Sequence, residues 1–175
     1  MILTITGKAG AGKTEVAKIL AIKLGYTYYS IGILQRKEAD KLGISITELG
    51  ELEREDPTID YKMDENQREL GEKEDDFIMD SWLGANFIPH AYKIFLVATP
   101  ELRAERRMKQ YPDLYKTKEE AMRDMKQRED TNRERWLKLY DYDYLDMNNY
   151  DLVIDTTDKN IEQIVKMISA KLPNS

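Results

Sequence analysis

The chain has 175 residues, which suits one domain with a buried core, and its hydrophobic fraction of 41% excludes an intrinsically disordered protein. The formal net charge of -6 argues against a general nucleic-acid-binding protein. Disulfides and thiolate chemistry are excluded because there is no cysteine, and no apolar run approaches the ~20 residues that span a membrane, so we expect a soluble cytoplasmic protein.

The predicted elements alternate between strands and helices along most of the chain. Apolar or β-branched runs predict five strands, at 1–6, 26–30, 77–80, 92–98 and 152–154. Helical spacing of apolar residues follows the first strand and ends at Gly25, and Thr99 with Pro100 marks the start of another helix, with Thr99 as its N-cap. A charged helix is predicted over 118–139 and an amphipathic helix over 160–172.

Buried strands joined by helices predict an α/β fold, in which helices cover both faces of a five-stranded parallel sheet as a three-layer sandwich. Two polar stretches interrupt this alternation. The first covers residues 31–73, where we predict helices broken at Gly43, Gly50 and Pro57, and the second covers about 110–135. The core of this single domain, 1–175, would then comprise 1–30, 76–110 and 139–175.

A glycine-rich segment lies between the first predicted strand and the first predicted helix. It consists of Gly7, Lys8, Ala9, Gly10, Ala11, Gly12, Lys13 and Thr14. Glycines let backbone N–H groups turn toward phosphate oxygens, and the following helix adds the positive end of its dipole. Lys13 would reach the outer phosphates of a nucleoside triphosphate, and Thr14 would offer its hydroxyl to Mg²⁺. The pattern therefore predicts a phosphate site on a P-loop NTPase fold.

An acidic residue, Asp80, ends the third predicted strand. A carboxylate there can hold Mg²⁺ through a water molecule, and we favour this role over the alternative of an N-cap. The two polar insertions favour a small kinase, because phosphoryl transfer needs an acceptor site and a lid that excludes water.

Five further fragments occur in order along the chain. They are Ser30-Ile31-Gly32 with Arg36; Glu55-Asp56-Pro57 with Asp60, Asp64 and Gln67; Pro100 to Arg106; Arg128-Glu129-Asp130 with Arg135; and Tyr150 to Thr156. With the phosphate loop, their order and spacing make the chain resemble the nucleoside monophosphate kinases, most closely the short cytidylate kinases of archaea. The resemblance runs nearly from end to end.

The resemblance implies a kinase that moves the γ-phosphoryl group of Mg-ATP to a nucleoside monophosphate, CMP or dCMP. It implies that the 31–73 insertion binds the acceptor, that the 110–135 region is a lid, and that the protein is a monomer whose partners are small-molecule nucleotides. The implied acceptor-binding residues are Gly32, Arg36, Asp60 and Asp64. For Arg36, a surface ion pair with Asp40 is the alternative.

Two arginines of the charged helix, Arg128 and Arg135, are seven residues apart and therefore project from one face. By spacing alone, a solvated helix surface explains them equally well. The resemblance implies that they act with Lys13 as catalytic residues and neutralise the charge of phosphoryl transfer. It further implies donor contacts from Arg106 and from Asp155 with Thr156. A turn or helix cap explains the last two equally well.

The chain departs from the family pattern after Asp80, where Trp82 takes the place of an arginine that contacts the acceptor. Ile31 also replaces a small or hydroxyl residue. An indole cannot pair with a phosphate, so the departures leave the donor site intact and the acceptor open. Three hypotheses follow. The chain is a cytidylate kinase in which another positively charged group replaces the missing arginine, or a related kinase with a different small acceptor, or a nucleotide-dependent binding or assembly ATPase without an acceptor.

Overall fold

The computed structural model describes residues 1–56 and 58–173, with the side chains of Thr47, Arg54, Ile59, Asp60 and Lys62 excepted. Pro57, where we predicted a helix break, lies outside the described residues. The strands are β1 (Leu3–Gly7), β2 (Thr27–Ser30), β3 (Phe77–Asp80), β4 (Tyr92–Val97) and β5 (Leu152–Asp155). The helices are α1 (Lys13–Leu24), α2 (Ile31–Leu42), α3 (Ile46–Glu55), α4 (Thr58–Lys73), α5 (Gly84–Phe87), α6 (Pro100–Gln110), α7 (Lys118–Tyr140) and α8 (Ile161–Ser169), with a 3₁₀ turn at Met147–Asn149.

The five strands form one sheet in the order β2-β3-β1-β4-β5, and every neighbouring pair is parallel. Because parallel strands end at the same edge, the loops after β1 and β3 open side by side. Ser30 and Ile5 both align with Asp80, on either side of β3. The central strand β1 therefore delivers the glycine-rich segment next to Asp80.

Successive residues of the strands enter two hydrophobic layers, as the alternation of side chains along a strand requires. Leu3 and Ile5 of β1 belong to a buried cluster that includes Leu20 of α1 and Ile168 of α8. Phe95 of β4 belongs to a second cluster, formed with residues of α5 and α7. Helices thus cover both faces of the sheet, and the predicted α/β sandwich is confirmed.

The predicted helix break at Gly50 is wrong, because Gly50 lies inside α3. A glycine in a helix costs only about 1 kcal/mol, and α3 has stronger stabilising features. Its first turn carries a capping box between Ser45 and Glu48, and Leu49 is fully buried.

Thr99 stands at the N-cap of α6, as predicted, but its side chain makes no capping hydrogen bond.

In the part of the chain that the structure describes, no helix is both long and apolar enough to cross a membrane.

Candidate active site

The glycine-rich loop after β1 depends on close backbone contacts. A Cβ atom at Gly7 would lie 2.5 Å from the carbonyl oxygen of Leu96, and one at Gly10 would lie 2.6 Å from that of Arg103. Gly10 also has φ +78°, a conformation that residues with a Cβ rarely adopt. The loop can therefore keep this shape only with glycine at these positions.

The side chain of Lys13 folds over its own loop. Its Nζ donates to the carbonyl oxygen of Gly7 at 2.8 Å and lies 3.3 Å from that of Lys8. Burial lowers the pKa of Lys13 to about 8, since it disfavours the charged form, and the carboxylate of Asp80 acts in the opposite direction. The ammonium group is thus held close to the backbone that would surround a phosphate.

Asp80 accepts hydrogen bonds from three neighbouring hydroxyl groups. Its Oδ2 lies 2.7 Å from Thr14 Oγ1, 3.2 Å from the Tyr28 hydroxyl and 3.4 Å from Ser30 Oγ. We did not predict that Tyr28 and Ser30 would contact Asp80. Their positions two residues apart at the end of β2 place both hydroxyl groups on the same face of the strand, which could have indicated it. Carboxylate and hydroxyl oxygens fit Mg²⁺, which prefers hard oxygen ligands.

Among the described residues, no group of three or more histidine, cysteine or acidic side chains could hold a metal ion. Mg²⁺ usually keeps several waters and takes its remaining ligands from substrate phosphates, so one or two protein oxygens can suffice to hold it. Thr14 and Asp80 are the residues that could hold it.

A cleft of about 1030 Å³ extends from the loop toward α2, α4, α7 and the start of α8. Most of the predicted site residues line it. They are Ala9, Gly10, Ala11, Gly12, Lys13, Thr14, Gly32, Arg36, Asp64, Asp80, Arg106 and Arg128. Five other predicted residues, Gly7, Lys8, Arg135, Asp155 and Thr156, lie outside this lining, and the side chain of Asp60 lies outside the described residues.

Arg36 of α2 folds back across the first turn of its helix. A Cβ atom at Gly32 would lie only 3.6 Å from Nη1 of Arg36, so the two predicted acceptor residues are neighbours. Within the described part of the chain, no hydrogen bond or ion pair joins Arg36 to another side chain, and this includes Asp40, the alternative partner. The guanidinium group is therefore presented to the cleft.

Asp64 of α4 is a buried carboxyl group that also lines the cleft. It accepts hydrogen bonds from the Tyr140 hydroxyl and from Nε2 of Gln67, the latter at 3.4 Å. Burial raises its pKa to about 6, although the bond from Tyr140 and the charges of Arg68 and Arg135 lower it. A carboxyl group of this kind can accept or donate a hydrogen bond near neutral pH.

The two predicted arginines of α7 have different surroundings. Arg128 lines the cleft, with Cζ 5.1 Å from the ring centroid of Trp82. Arg135 instead lies 3.0 Å from the carboxylate of Glu53 in α3. Asn132, between them, is buried and lines the cleft. We did not predict it, although its spacing of four residues from Arg128 places both on the same face of α7.

Arg106 of α6 connects the glycine-rich loop to the segment after β5. Its guanidinium donates to the hydroxyl and carbonyl oxygens of Thr156 at 3.2 and 3.1 Å, and it lies 3.4 Å from the Gly10 carbonyl oxygen. Asp155 is exposed and accepts from the backbone N–H of Thr157. This bond forms a turn, and a donor contact from Asp155 stays a prediction.

The chain is similar to cytidylate kinases over nearly its whole length. Residues 2–158 match the cytidylate kinase-like family. A cytidylate kinase from Methanobrevibacter smithii is 32% identical over 172 residues, which cover 98% of both chains. One from Archaeoglobus fulgidus is 34% identical over 170 residues, covering 96% of this chain and 92% of that protein. A shikimate kinase from Bacteroides thetaiotaomicron has a similar fold, with a TM-score of 0.67 at 17% identity and 97% of each chain covered.

Proposed function

The chain belongs to the cytidylate kinase-like family, and on this premise we propose that it transfers the γ-phosphoryl group of ATP to CMP or dCMP. The observation that carries the proposal is the shared cleft. The glycine-rich loop with Lys13 lines it, and so do Arg36 and Asp64 of the proposed acceptor-binding insertion. A nucleoside triphosphate and a nucleoside monophosphate could therefore meet in it with their phosphates facing each other.

On the donor side, the backbone N–H groups of the loop and the start of α1 would bind the β- and γ-phosphates. Lys13 would neutralise the outer phosphates as a point charge. Arg106 lies at the rim of the cleft beside the loop, which supports a contact with the triphosphate.

On the acceptor side, the insertion 31–73, which contains α2, α3 and α4, would hold the monophosphate. A guanidinium group pairs with a phosphate through two parallel hydrogen bonds, and Arg36 has no competing carboxylate among the described residues. The carboxyl group of Asp64 would accept a hydrogen bond from an amino or hydroxyl group of the acceptor. The 110–135 region, which runs from the end of α6 through most of α7, would close over both substrates as a lid.

Thr14 and Asp80 would hold Mg²⁺, which would supply positive charge to the β- and γ-phosphate oxygens. Tyr28 and Ser30 orient the carboxylate of Asp80 by donating to its Oδ2. Outer hydrogen bonds of this type fix the direction of a metal ligand.

The proposed reaction is a direct in-line transfer without a covalent enzyme intermediate. An acceptor phosphate oxygen forms a bond to the γ-phosphorus while the bond to the β,γ-bridging oxygen breaks, which leaves ADP. Lys13 and Arg128 would stabilise the charge that spreads over the transferring group. The ion pair of Arg135 with Glu53 supports a role in joining α7 to the acceptor insertion, and its direct action on phosphate stays a prediction.

A coupled assay of ADP formation tests the proposal, with CMP, dCMP, UMP, AMP and simple nucleosides as acceptors. We expect CMP and dCMP to raise turnover most, and Lys13→Ala to lower it by about a thousandfold or more. Lys18→Ala is the matched control, since Lys18 lies on the same helix with an exposed ammonium. Preference for another acceptor would indicate the related kinase, and turnover that no acceptor raises would leave only the assembly ATPase.

A further inference from the structure

The indole of Trp82 is fixed in the cleft by two other aromatic rings. It lies parallel to the ring of Tyr144, with 6° between the planes and 5.8 Å between the centroids, and it meets the edge of Trp136 at 5.3 Å. Tyr144 is fully buried and Trp136 is 4% exposed. Such a cluster restricts the ring to one orientation, so Trp82 presents a rigid surface at the wall of the cleft.

Two cations that line the cleft lie over this surface. The Cζ atom of Arg128 is 5.1 Å from the ring centroid, and the Nζ atom of Lys13 is 5.6 Å from it. Both distances are within the range of a cation–π interaction, which strengthens when the groups are desolvated. The indole is therefore a shared support for the two positive charges beside the phosphate loop.

Arg128 differs in what holds it from Arg103 and Arg135, two buried arginines outside the cleft lining. Arg103 is paired with the carboxylate of Glu129 at 2.5 Å, and Arg135 is paired with that of Glu53. For Arg128, within the residues that the structure describes, the aromatic ring is the contact, and no carboxylate lies within ion-pair distance.

The kind of support matters for phosphate chemistry. A carboxylate would neutralise the guanidinium and compete with a phosphate for its N–H groups. An aromatic face orients the guanidinium and leaves its N–H groups available to an anion. Arg128 is thus held in place without losing its capacity to bind phosphate.

We propose that Trp82 is a positioning residue that holds the guanidinium of Arg128 beside Lys13, so that both charges face the transferring phosphoryl group. This inference rests on the proposed function, since it takes the cleft as the place of transfer. It assigns to the indole a role in phosphate binding that does not require a direct bond between indole and phosphate.

A double-mutant cycle tests the proposal, with Trp82→Leu, Arg128→Ala and the double variant. Two quantities are measured: kcat/KM for the acceptor, and the Kd for inorganic tripolyphosphate by calorimetry. In the wild-type background we expect Trp82→Leu to lower kcat/KM and to raise the Kd, each by roughly fivefold to twentyfold, as the loss of a desolvated cation–π contact predicts. In the Arg128→Ala background the same change should cost clearly less, and the part that remains reflects the contact of the indole with Lys13.

Arg107→Ala is the matched control background, because Arg107 also lines the cleft but lies over Tyr111, at 4.5 Å, and not over Trp82. Trp82→Leu should keep its full effect there. Trp82→Phe, which retains an aromatic face, should recover most of the lost affinity. Equal costs of Trp82→Leu in all three backgrounds, or a Trp82→Phe variant as weak as Trp82→Leu, would overturn the inference.

A second variant covers the case in which Trp82→Leu does not fold, as judged by thermal unfolding. Trp82→Met then takes its place, because the methionine side chain fills more of the space left by the indole than leucine does. Tripolyphosphate binding needs no acceptor nucleotide. If CMP is not phosphorylated but the Kd for tripolyphosphate still shows coupling between Trp82 and Arg128, the role of Trp82 is supported and only the proposed acceptor is contradicted.

Discussion

The guanidinium of Arg135 lies 3.0 Å from the carboxylate of Glu53, and the two side chains are 6% and 3% exposed. Arg135 also donates to the Gly50 carbonyl oxygen at 3.1 Å, and Glu53 accepts from Nε2 of Gln35 at 3.2 Å. The pair thus joins α7 to α3 and α2. A buried ion pair of this kind ties together the two parts of the chain that we propose to bind the acceptor and to cover it.

Glu53→Ala should lower the free energy of unfolding by about 3 kcal/mol. The reason is that removing one partner leaves the other charge buried without compensation. Denaturant unfolding measures the loss, and Glu51→Ala is the control because Glu51 is an exposed neighbour on the same helix. Equal stability of the two variants would show that the pair does not connect these helices.

Asp64→Asn should raise the free energy of unfolding at pH 7.5, by up to about 3 kcal/mol. Burial raises the folded-state pKa of Asp64 to about 6, so the native protein binds a proton there more tightly than the unfolded chain does. The stability that Asp64 contributes is therefore fully present below about pH 3.8 and is lost as the pH rises through about 6.

The gain from Asp64→Asn should accordingly shrink as the pH is lowered from 7.5 to 4.5, which thermal unfolding at each pH can measure. Glu65→Gln, an exposed change on the same helix, should show no such dependence. We also expect Asp64→Asn to raise the KM for the acceptor. A gain in stability that is the same at both pH values would contradict the assigned cause.

Gly10→Ala should weaken ATP binding by about tenfold or more, because the new methyl group would lie 2.6 Å from the Arg103 carbonyl oxygen and would displace the loop. Gly43→Ala is the control. Gly43 also has a positive φ, +69°, but nothing lies within 4 Å of its Cβ position. This control should cost about 1 kcal/mol of stability and leave the Kd for ATP, measured by calorimetry, unchanged.

Gly50→Ala should stabilise the protein by about 0.5–1 kcal/mol, because Gly50 lies inside α3 with open space at its Cβ position. Gly71→Ala on α4 should do the opposite, since its methyl group would lie 2.9 Å from Cγ2 of Ile88. Denaturant midpoints compare the two variants. A destabilised Gly50→Ala would mean that α3 needs the flexibility of glycine at this position.

The sequence predicted the features that depend on neighbouring residues. The five strands were apparent from short apolar runs, and their parallel arrangement followed from the helices between them. The glycine-rich loop with Lys13 was apparent because it lies within eight consecutive residues, and its binding of phosphate stays a prediction. Gly50 was misjudged because the burial of Leu49, a tertiary contact, outweighs the weak preference of one glycine against helix.

The sequence by itself therefore determined the fold class, the glycine-rich loop with Lys13 and the position of Asp80 at the end of a core strand. Only the tertiary structure decided which side chains surround them. In it, Tyr28 and Ser30 donate hydrogen bonds to Asp80, and Glu53 forms an ion pair with Arg135. The ring of Trp82 makes a cation–π contact with Arg128.

The physical reason is that these contacts join residues far apart in the chain. Local periodicity specifies the face of a helix or strand, but not the partner that this face meets. Arg128 and Arg135 project from the same side of one helix. Packing alone assigned an indole to the first and a buried carboxylate to the second, and so gave two similar side chains different surroundings.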